Sequence, residues 1–357
     1  MRSAIDDFPE GVFRHTLRMD GFDEPLTLAV ALYREGRDLV VDYTGTSGQV
    51  PYGINVVLNY AYAYSIFPIK CALCPGLPHN AGAFRPVRLI AEEGCLVNAM
   101  HPAPVTSRHL TGHLLSPAVF GALEKAVPDR VVAENSSETS LQIDGFDADG
   151  NRYISVSFYN GGLGARPDRD GISTLAFPTN IANAPMEVVE SLSPIRYLER
   201  RFITDSGGPG RYRGGCGQAV SVRVLGPNDT TLSCKLERTR FAPRGYAGGL
   251  DGSLTELTVN GTHRPHPKRL YPLKAGDVVS LRLSGGGGFY PPEERSPETV
   301  ARDVKLGLVS VDAARTVYQV WLDEETLRLD PERTNALRAA KKAADREAGD
   351  SSRRTEP

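Results

Sequence analysis

Several short stretches carry residue types that could do chemistry. In "TDSGGPGRYRGGCG" (204–217), Ser206 stands in an Asp-Ser-Gly-Gly-Pro setting that spells the surroundings of a nucleophilic serine. A nucleophilic serine needs a base within hydrogen-bond reach and a third group to orient that base. None of the 7 histidines has a neighbourhood that suggests such a base. The stretch is therefore expected to be a tight turn in which Asp205 and Ser206 bond local backbone. In "RHLTGH" (108–113), His109 and His113 are four apart, on one face if the segment is helical, as in two-histidine metal sites. No Glu follows His109, as the H-E-x-x-H pattern would require, and Gly112 weakens a helix there. Hydrogen-bonding histidines at a loop-to-helix junction are expected, with metal ligation as the alternative and Arg108 beside them as an anion binder. "CALC" (71–74) has two thiols at the end of a helical pattern and lacks the four ligands of a structural zinc site, so buried free thiols are expected.

Two glycine-rich stretches complete the set. "YNGGLGARPDRDG" (159–171) follows a strand pattern, as phosphate loops do, but Pro167 and a charged turn follow it instead of a helix. Backbone amides with Arg166 could still face an anion or a carbonyl there, and a wide turn is the alternative. "SGGGG" (284–288) reads as a turn before an anion nest.

These residues need elements to position them. "LTLAVALY" and "RDLVVDYTGT" alternate as two strands around "REGRD". "INVVLNYAYAYSIFPIKCAL" (54–73) predicts a buried helix bent or ended near Pro68. "FRPVRLIAEEGCLVNA" (84–99) reads as strand, and "LLSPAVFGALEKAVPD" (114–129) as a helix closed by Pro128. "SLQIDGFDADGNRYISVSFYN" (140–160) predicts a hairpin turning at "DADGN". Between 200 and 290, "AVSVRVLG", "TTLSCKLE", "TELTVNG" and "DVVSLRLSG" are short strands with Gly and Pro turns, the pattern of a sandwich or barrel-like sheet. Residues 297–348 give three helical patterns, the last highly charged and expected to fray. The expected class is α+β: a mixed, strand-rich region over 1–199, a β-sandwich-like domain over 200–295, and a helical extension with a disordered tail over 296–357.

Bulk properties narrow the function classes. With 41 Lys+Arg against 43 Asp+Glu, the 357-residue chain has a formal net charge of -2, without the basic excess of a nucleic-acid or membrane-surface binder. No apolar run reaches membrane-spanning length, and the acidic start is no signal peptide, so a cytoplasmic protein with reduced thiols is expected.

Taken together, "VDYTGTSGQV", "LPHNAGAFRPVRLIAEEGCLVN", "GALEKAVPDRV", "GGLGARPDRDGIS", "PTNIANAPMEVVE", "DSGGPGRYRGGCGQ", "RFAPRGYAGG" and "GDVVSLRLSGGGGFY" resemble, in order, segments of the B subunits of hydantoinase/oxoprolinase-type enzymes. The resemblance implies a hetero-oligomer in which an A-type ATPase subunit of actin-like fold uses ATP and Mg to phosphorylate the oxygen of a cyclic amide. The B subunit then hydrolyses the activated hydantoin, 5-oxoproline or lactam with a metal-bound water. Related subunits serve ketone carboxylases of the acetone and acetophenone type, which is the alternative function; a non-catalytic scaffold is a third.

Carried over residue by residue, the resemblance highlights Asp42, Thr44 and Gly45; Asn55; Gly161, Gly162, Gly164, Arg166 and Asp168; Asn180, Asn183 and Glu187; and Arg238, Arg240 and Gly245. Of these, Asp42, Arg166 and Glu187, with Arg108 and His109, are the candidate catalytic groups. Thr44, Asn55, the three glycines, Asn180, Asn183 and Arg238 are the candidate substrate contacts. The start "MRSAIDDFPEGVF" resembles an internal stretch of the family. The family's divalent-metal ligands are therefore expected upstream or on a companion chain, with His109 and His113 the metal candidates on this one. Where oxoprolinase-like members read "GGNVETSQR", this chain reads "VTSRHLTGH", which leaves the substrate open.

Overall fold

The computed structural model describes residues 1–226 and 228–353. After a short helix α1 (Arg2–Asp6), strands β1 (Val12–Met19), β2 (Leu26–Glu35) and β3 (Asp38–Asp42) form an antiparallel meander, and β4 (Val87–Ile90) joins β3 in parallel. Alternation sets the faces of β1 and β2, whereas β3 buries Leu39, Val40 and Val41 in succession. Leu17 and Met19 of β1 and Leu28, Val30 and Leu32 of β2 are buried, and helices α2 (Leu58–Leu73) and α4 (His109–Leu123) pack with them in one core. A single turn, α3 (Ala81–Phe84), precedes β4.

Helix α2 ends at Leu73, as expected; of the two alternatives at Pro68, a bend or an end, the helix is not ended there. A proline cannot donate to the carbonyl four residues back, and that carbonyl, of Tyr64, accepts instead from Ser116 Oγ of α4 at 2.9 Å. Helix α4 begins at His109, not Leu114, and every residue from Leu110 to Leu123 is buried. Gly112 is needed there, since a methyl group at that position would overlap the Tyr60 ring. Beyond β4, the expected strand over 84–99 survives only as isolated bridges at Cys95.

A two-layer sandwich follows. One sheet has the order β10 (Glu256–Val259), β12 (Val278–Arg282), β8 (Gln218–Val224), β7 (Ile195–Phe202). The other has the order β11 (Leu270–Leu273), β9 (Asn228–Lys235), β5 (Thr139–Phe146), β6 (Arg152–Tyr159). Their inner faces share Leu141, Ile143, Val220, Val222, Leu232, Val279 and Leu281. The boundary expected at 199/200 therefore falls inside the sandwich: β5 pairs with β9 and β7 with β8. Such pairings are non-local, and alternation within a strand does not name its partner. Helix α5 (Met186–Leu192) leads into β7, and α6 (Pro297–Lys305), α7 (Val311–Thr316) and α8 (Pro331–Arg353) follow the sandwich. Of these, α6 and α7 enclose a third small core with Tyr318 and Val320. Helix α8 reaches Arg353, and residues 354–357 of the expected tail lie outside the described residues.

Two polar latches tie these units together. In the first, the β1–β2 turn is held to the sandwich. Asp20 accepts from the Thr239 and Arg240 amides at 2.8 and 3.0 Å, while its own N–H donates to Glu237. Glu237 faces Lys268 Nζ at 2.7 Å; burial pushes its carboxyl up to about 7 against the pull of Lys268. In the second, Arg295 bridges Asp170 and Asp303 at 2.7 and 2.6 Å, and Arg213 approaches Asp303 at 3.6 Å.

Between the sheet and the sandwich, the glycine-rich stretches 161–164, 207–217 and 285–288 run against each other backbone to backbone. Gly162 N donates to Ser284 O at 3.0 Å, Gly215 N to Leu163 O at 2.8 Å, and Gly286 N to Gly215 O at 3.0 Å. A side chain at Gly162 would overlap the carbonyl of Gly215.

Candidate functional site

The residues expected to act together do so only in part. Arg108, His109 and His113 open α4 and face α2. The His109 and His113 rings lie 5.8 Å apart, Tyr64 lies 6.1 Å from His113, and Tyr60 stacks on Tyr64 at 4.6 Å. The Arg108 guanidinium sits over the Tyr60 ring at 5.6 Å.

The two histidines are kept uncharged. Burial, reinforced by the charges of Lys235 and Arg108, lowers His109 to about 4. Burial and the neighbouring His109 lower His113 to about 3. Nε2 of His109 and both ring nitrogens of His113 are buried without a hydrogen-bond partner. Unpaired buried nitrogens are costly, and at a cluster of titratable side chains they mark a place where a ligand can complete the bonding.

The Glu138 carboxylate is near enough to act electrostatically on Tyr60. Glu138 is buried and hydrogen-bonded to Thr179 Oγ1, and burial raises its carboxyl above the ordinary range. It lies within a run of seven polar residues, 134–140, all buried. Residues 134–138 each have a long-range or local partner, whereas Thr139 Oγ1 has none. Glu134 pairs with Arg238 at 2.8 Å, the Asn135 amide donates to Phe177 O at 3.3 Å, and Ser136 Oγ accepts from Ser284 Oγ at 2.6 Å. Sequence reading missed this run and the Tyr60–Tyr64 pair. The only signals were a polar run, "ENSSE", ahead of a strand pattern and two tyrosines at helical spacing.

The remaining predicted residues stand apart. Asp42 caps the Thr44 amide at 2.8 Å in a turn that continues through Gly45 at φ 89°. Asn55 is fully buried, accepting from Val50 N and donating to Val50 O, Tyr52 O and Pro104 O; these bonds occupy its amide and brace the loop before α2. Gly161, Gly162 and Gly164 are buried in the backbone-to-backbone packing. Arg166 bridges to Arg169 through its backbone, and burial lowers its guanidinium. Asn180 is exposed at φ 57°, and Glu187 is exposed in the first turn of α5. The Asn183 amide, oriented to satisfy both neighbours, donates to Phe158 O at 2.6 Å and accepts from Arg200 at 3.2 Å. Ser206 is buried. Its hydroxyl donates to Ile203 O at 2.6 Å and accepts from Gly217 N at 2.9 Å, as a turn residue does. The Gly286 and Gly287 amides of "SGGGG" donate to Gly215 O and Glu134 O, so they form no anion nest. All five cysteines are free, though Cys71 is exposed and not buried as expected.

Among the described residues, no three His, Cys, Asp or Glu side chains converge as a metal site. His109 and His113 supply two imidazoles, one fewer than the three protein ligands typical of a catalytic zinc site. These residues by themselves do not fit the divalent metal that the resemblance implies. Nor is any helix among the described residues long and apolar enough to cross a membrane.

Comparison with known proteins gives a consistent picture. The profile described as hydantoinase B/oxoprolinase matches residues 1–292. The caprolactamase subunit beta of Pseudomonas jessenii is 29% identical over 95% of this chain and 61% of its own length. The acetophenone carboxylase delta subunit of Aromatoleum aromaticum is 26% identical over 98% of this chain and 58% of its own. A crystal structure of the ATP-dependent caprolactamase from P. jessenii superposes with a TM-score of 0.79 at 27% identity, covering 95% of this chain and 61% of that one. This chain thus spans about 60% of the length of these relatives.

Proposed function

Because the chain belongs to the hydantoinase B/oxoprolinase family, we propose that it serves an ATP-dependent cyclic-amide hydrolase and that the His109–His113–Tyr60–Tyr64–Glu138 cluster faces the amide ring. The observation that carries this reading is a pair of uncharged histidines, His113 buried and His109 half-buried, in which Nε2 of His109 and both ring nitrogens of His113 are buried without partners. A cyclic amide is neutral, planar and rich in donors and acceptors. Neutral imidazoles can bond it without the desolvation cost of a charge, and the stacked tyrosines offer a flat wall of matching size. At about 4 and 3, the two histidines are too weak as bases to take a proton at neutral pH. Their role is to hold and orient the ring. Glu138, its carboxyl raised by burial, is the group suited to share a proton with the ring nitrogen.

ATP and Mg belong to an A-type ATPase partner in this proposal, within a cytoplasmic hetero-oligomer. The hydrolytic metal belongs to the complete assembly. No step is routed through it, since these residues alone do not hold it. The similarity to the acetophenone carboxylase delta subunit over 98% of this chain favours a second reading, a subunit of an ATP-dependent ketone carboxylase.

The test is turnover by this chain co-purified with its ATPase partner. Ring opening of hydantoin, 5-oxoproline or caprolactam that requires ATP is expected, and His113→Ala is expected to lower kcat/KM by roughly tenfold or more through loss of the imidazole bonds. ATP-dependent carboxylation of a ketone without amide turnover would replace the first reading by the second. Absence of both reactions would leave a scaffold role.

A further inference from the structure

A cavity lies at the Glu134 end of the buried polar run. It has a volume of about 490 Å³, a size typical of small-molecule sites, and opens between β1 and the loop 238–254. Its floor is the Glu134–Arg238 pair, with side chains 4% and 2% exposed. Around it stand Arg18, Arg240 and Arg244, with Asp251 opposite.

The charge here is unbalanced. Glu134 is matched by Arg238. Asp251 accepts the Gly245 amide at 3.0 Å. None of Arg18, Arg240 and Arg244 has a carboxylate within ion-pair distance among the described residues. Arg18 lies over the Phe241 ring at 4.5 Å, Arg240 donates to Asp23 O at 3.2 Å, and Arg244 lies 5.7 Å from the Tyr246 ring. Four guanidiniums thus face two carboxylates in a chain whose overall formal charge is -2. A concentration of unpaired cations around one concavity focuses positive potential there. The floor is also incompletely bonded: Nε of Arg238, and Nε2 of His15 at 3.8 Å from Glu134, are buried without partners.

We propose that this cavity binds a small organic dianion of the phosphate-monoester type. The planar forks of Arg18, Arg240 and Arg244 suit a phosphate better than a single carboxylate, since each can give paired donors to a doubly charged group. The volume leaves room for an organic body, and Phe241, with Leu17 and Leu254, provides an apolar wall for it. The inference rests on the cavity's own charge and shape and stands apart from the reading of the histidine cluster.

Isothermal titration of the full chain tests it with phenyl phosphate, inorganic phosphate and the uncharged isostere benzyl alcohol. Saturable binding of phenyl phosphate is expected, tighter than that of inorganic phosphate and absent with benzyl alcohol. Arg18→Gln and Arg244→Gln replace exposed arginines that make no ion pair, so the fold should persist, as circular dichroism and an unchanged Tm will verify. Each is expected to weaken phenyl phosphate binding by roughly tenfold or more, while Arg223→Gln on the exposed face of β8 leaves it unchanged. No saturation at millimolar phenyl phosphate would overturn the proposal. So would equal binding by the two arginine variants and the unsubstituted chain, or equal binding of the uncharged isostere.

Discussion

At the scale of single residues, His113 has the clearest thermodynamic signature. Its ordinary value is 6.5 and its folded value about 3, with burial the main cause. Between those values the unfolded chain binds a proton that the folded chain refuses. Stability from this group is therefore full above about pH 6.5 and is lost as pH falls toward 3. His109, lowered to about 4, acts in the same direction over a narrower window. Replacing His113 by Phe should flatten the acid limb of a plot of Tm against pH and leave the limb above neutrality unmoved. An unchanged acid slope would mean that the imidazole is not shielded as described.

At the scale of elements, α2 and α4 depend on one another through a single hydroxyl. Pro68 frees the Tyr64 carbonyl inside a helix, and Ser116 supplies the missing donor. Ser116→Ala should destabilise the protein by about 1–3 kcal/mol, the cost of leaving a buried acceptor unmet. Equilibrium denaturation will read it, and a loss under about 0.5 kcal/mol would show that the carbonyl finds water or another donor. The same pair of helices shows where sequence reading stops. The alternation in β2 and the "DADGN" hairpin were legible because their information is local. The helical stretch to Leu73 was legible too, but the way Pro68 is accommodated was not, because the compensating hydroxyl is 52 residues from the carbonyl it serves. Gly112 argues against a helix until the Tyr60 ring is seen to occupy its side-chain space. In the candidate site, His109 and His113 were legible by spacing. Glu138 was not, because its burial and its Thr179 partner come from segments that meet only in the fold.

At the scale of the whole molecule, the glycine-rich stretches are the common ground of the sheet and the sandwich. Gly162→Ala would set a methyl group into the Gly215 carbonyl, and neither backbone can yield without breaking the bonds around it. We expect this substitution to abolish soluble, cooperatively unfolding protein, while Gly76→Ala, with open space at its Cβ, has little effect. Expression and thermal melts of the two variants decide it. A stable Gly162→Ala protein would mean that the packing is looser than described.

That packing also bears on the order of assembly. Its segments come from residues 161–164, 207–217 and 285–288, so the bonds that join one segment to another link residues far apart in sequence. Closing such long loops delays the contacts that reward them. The β2–β3 hairpin and the β5–β6 hairpin have the short-range contacts to form early. The glycine crossing can lock only after most of the chain has been made and brought together. Until then the sandwich sheets have exposed edges, and the chain is vulnerable to mispairing with other copies of itself.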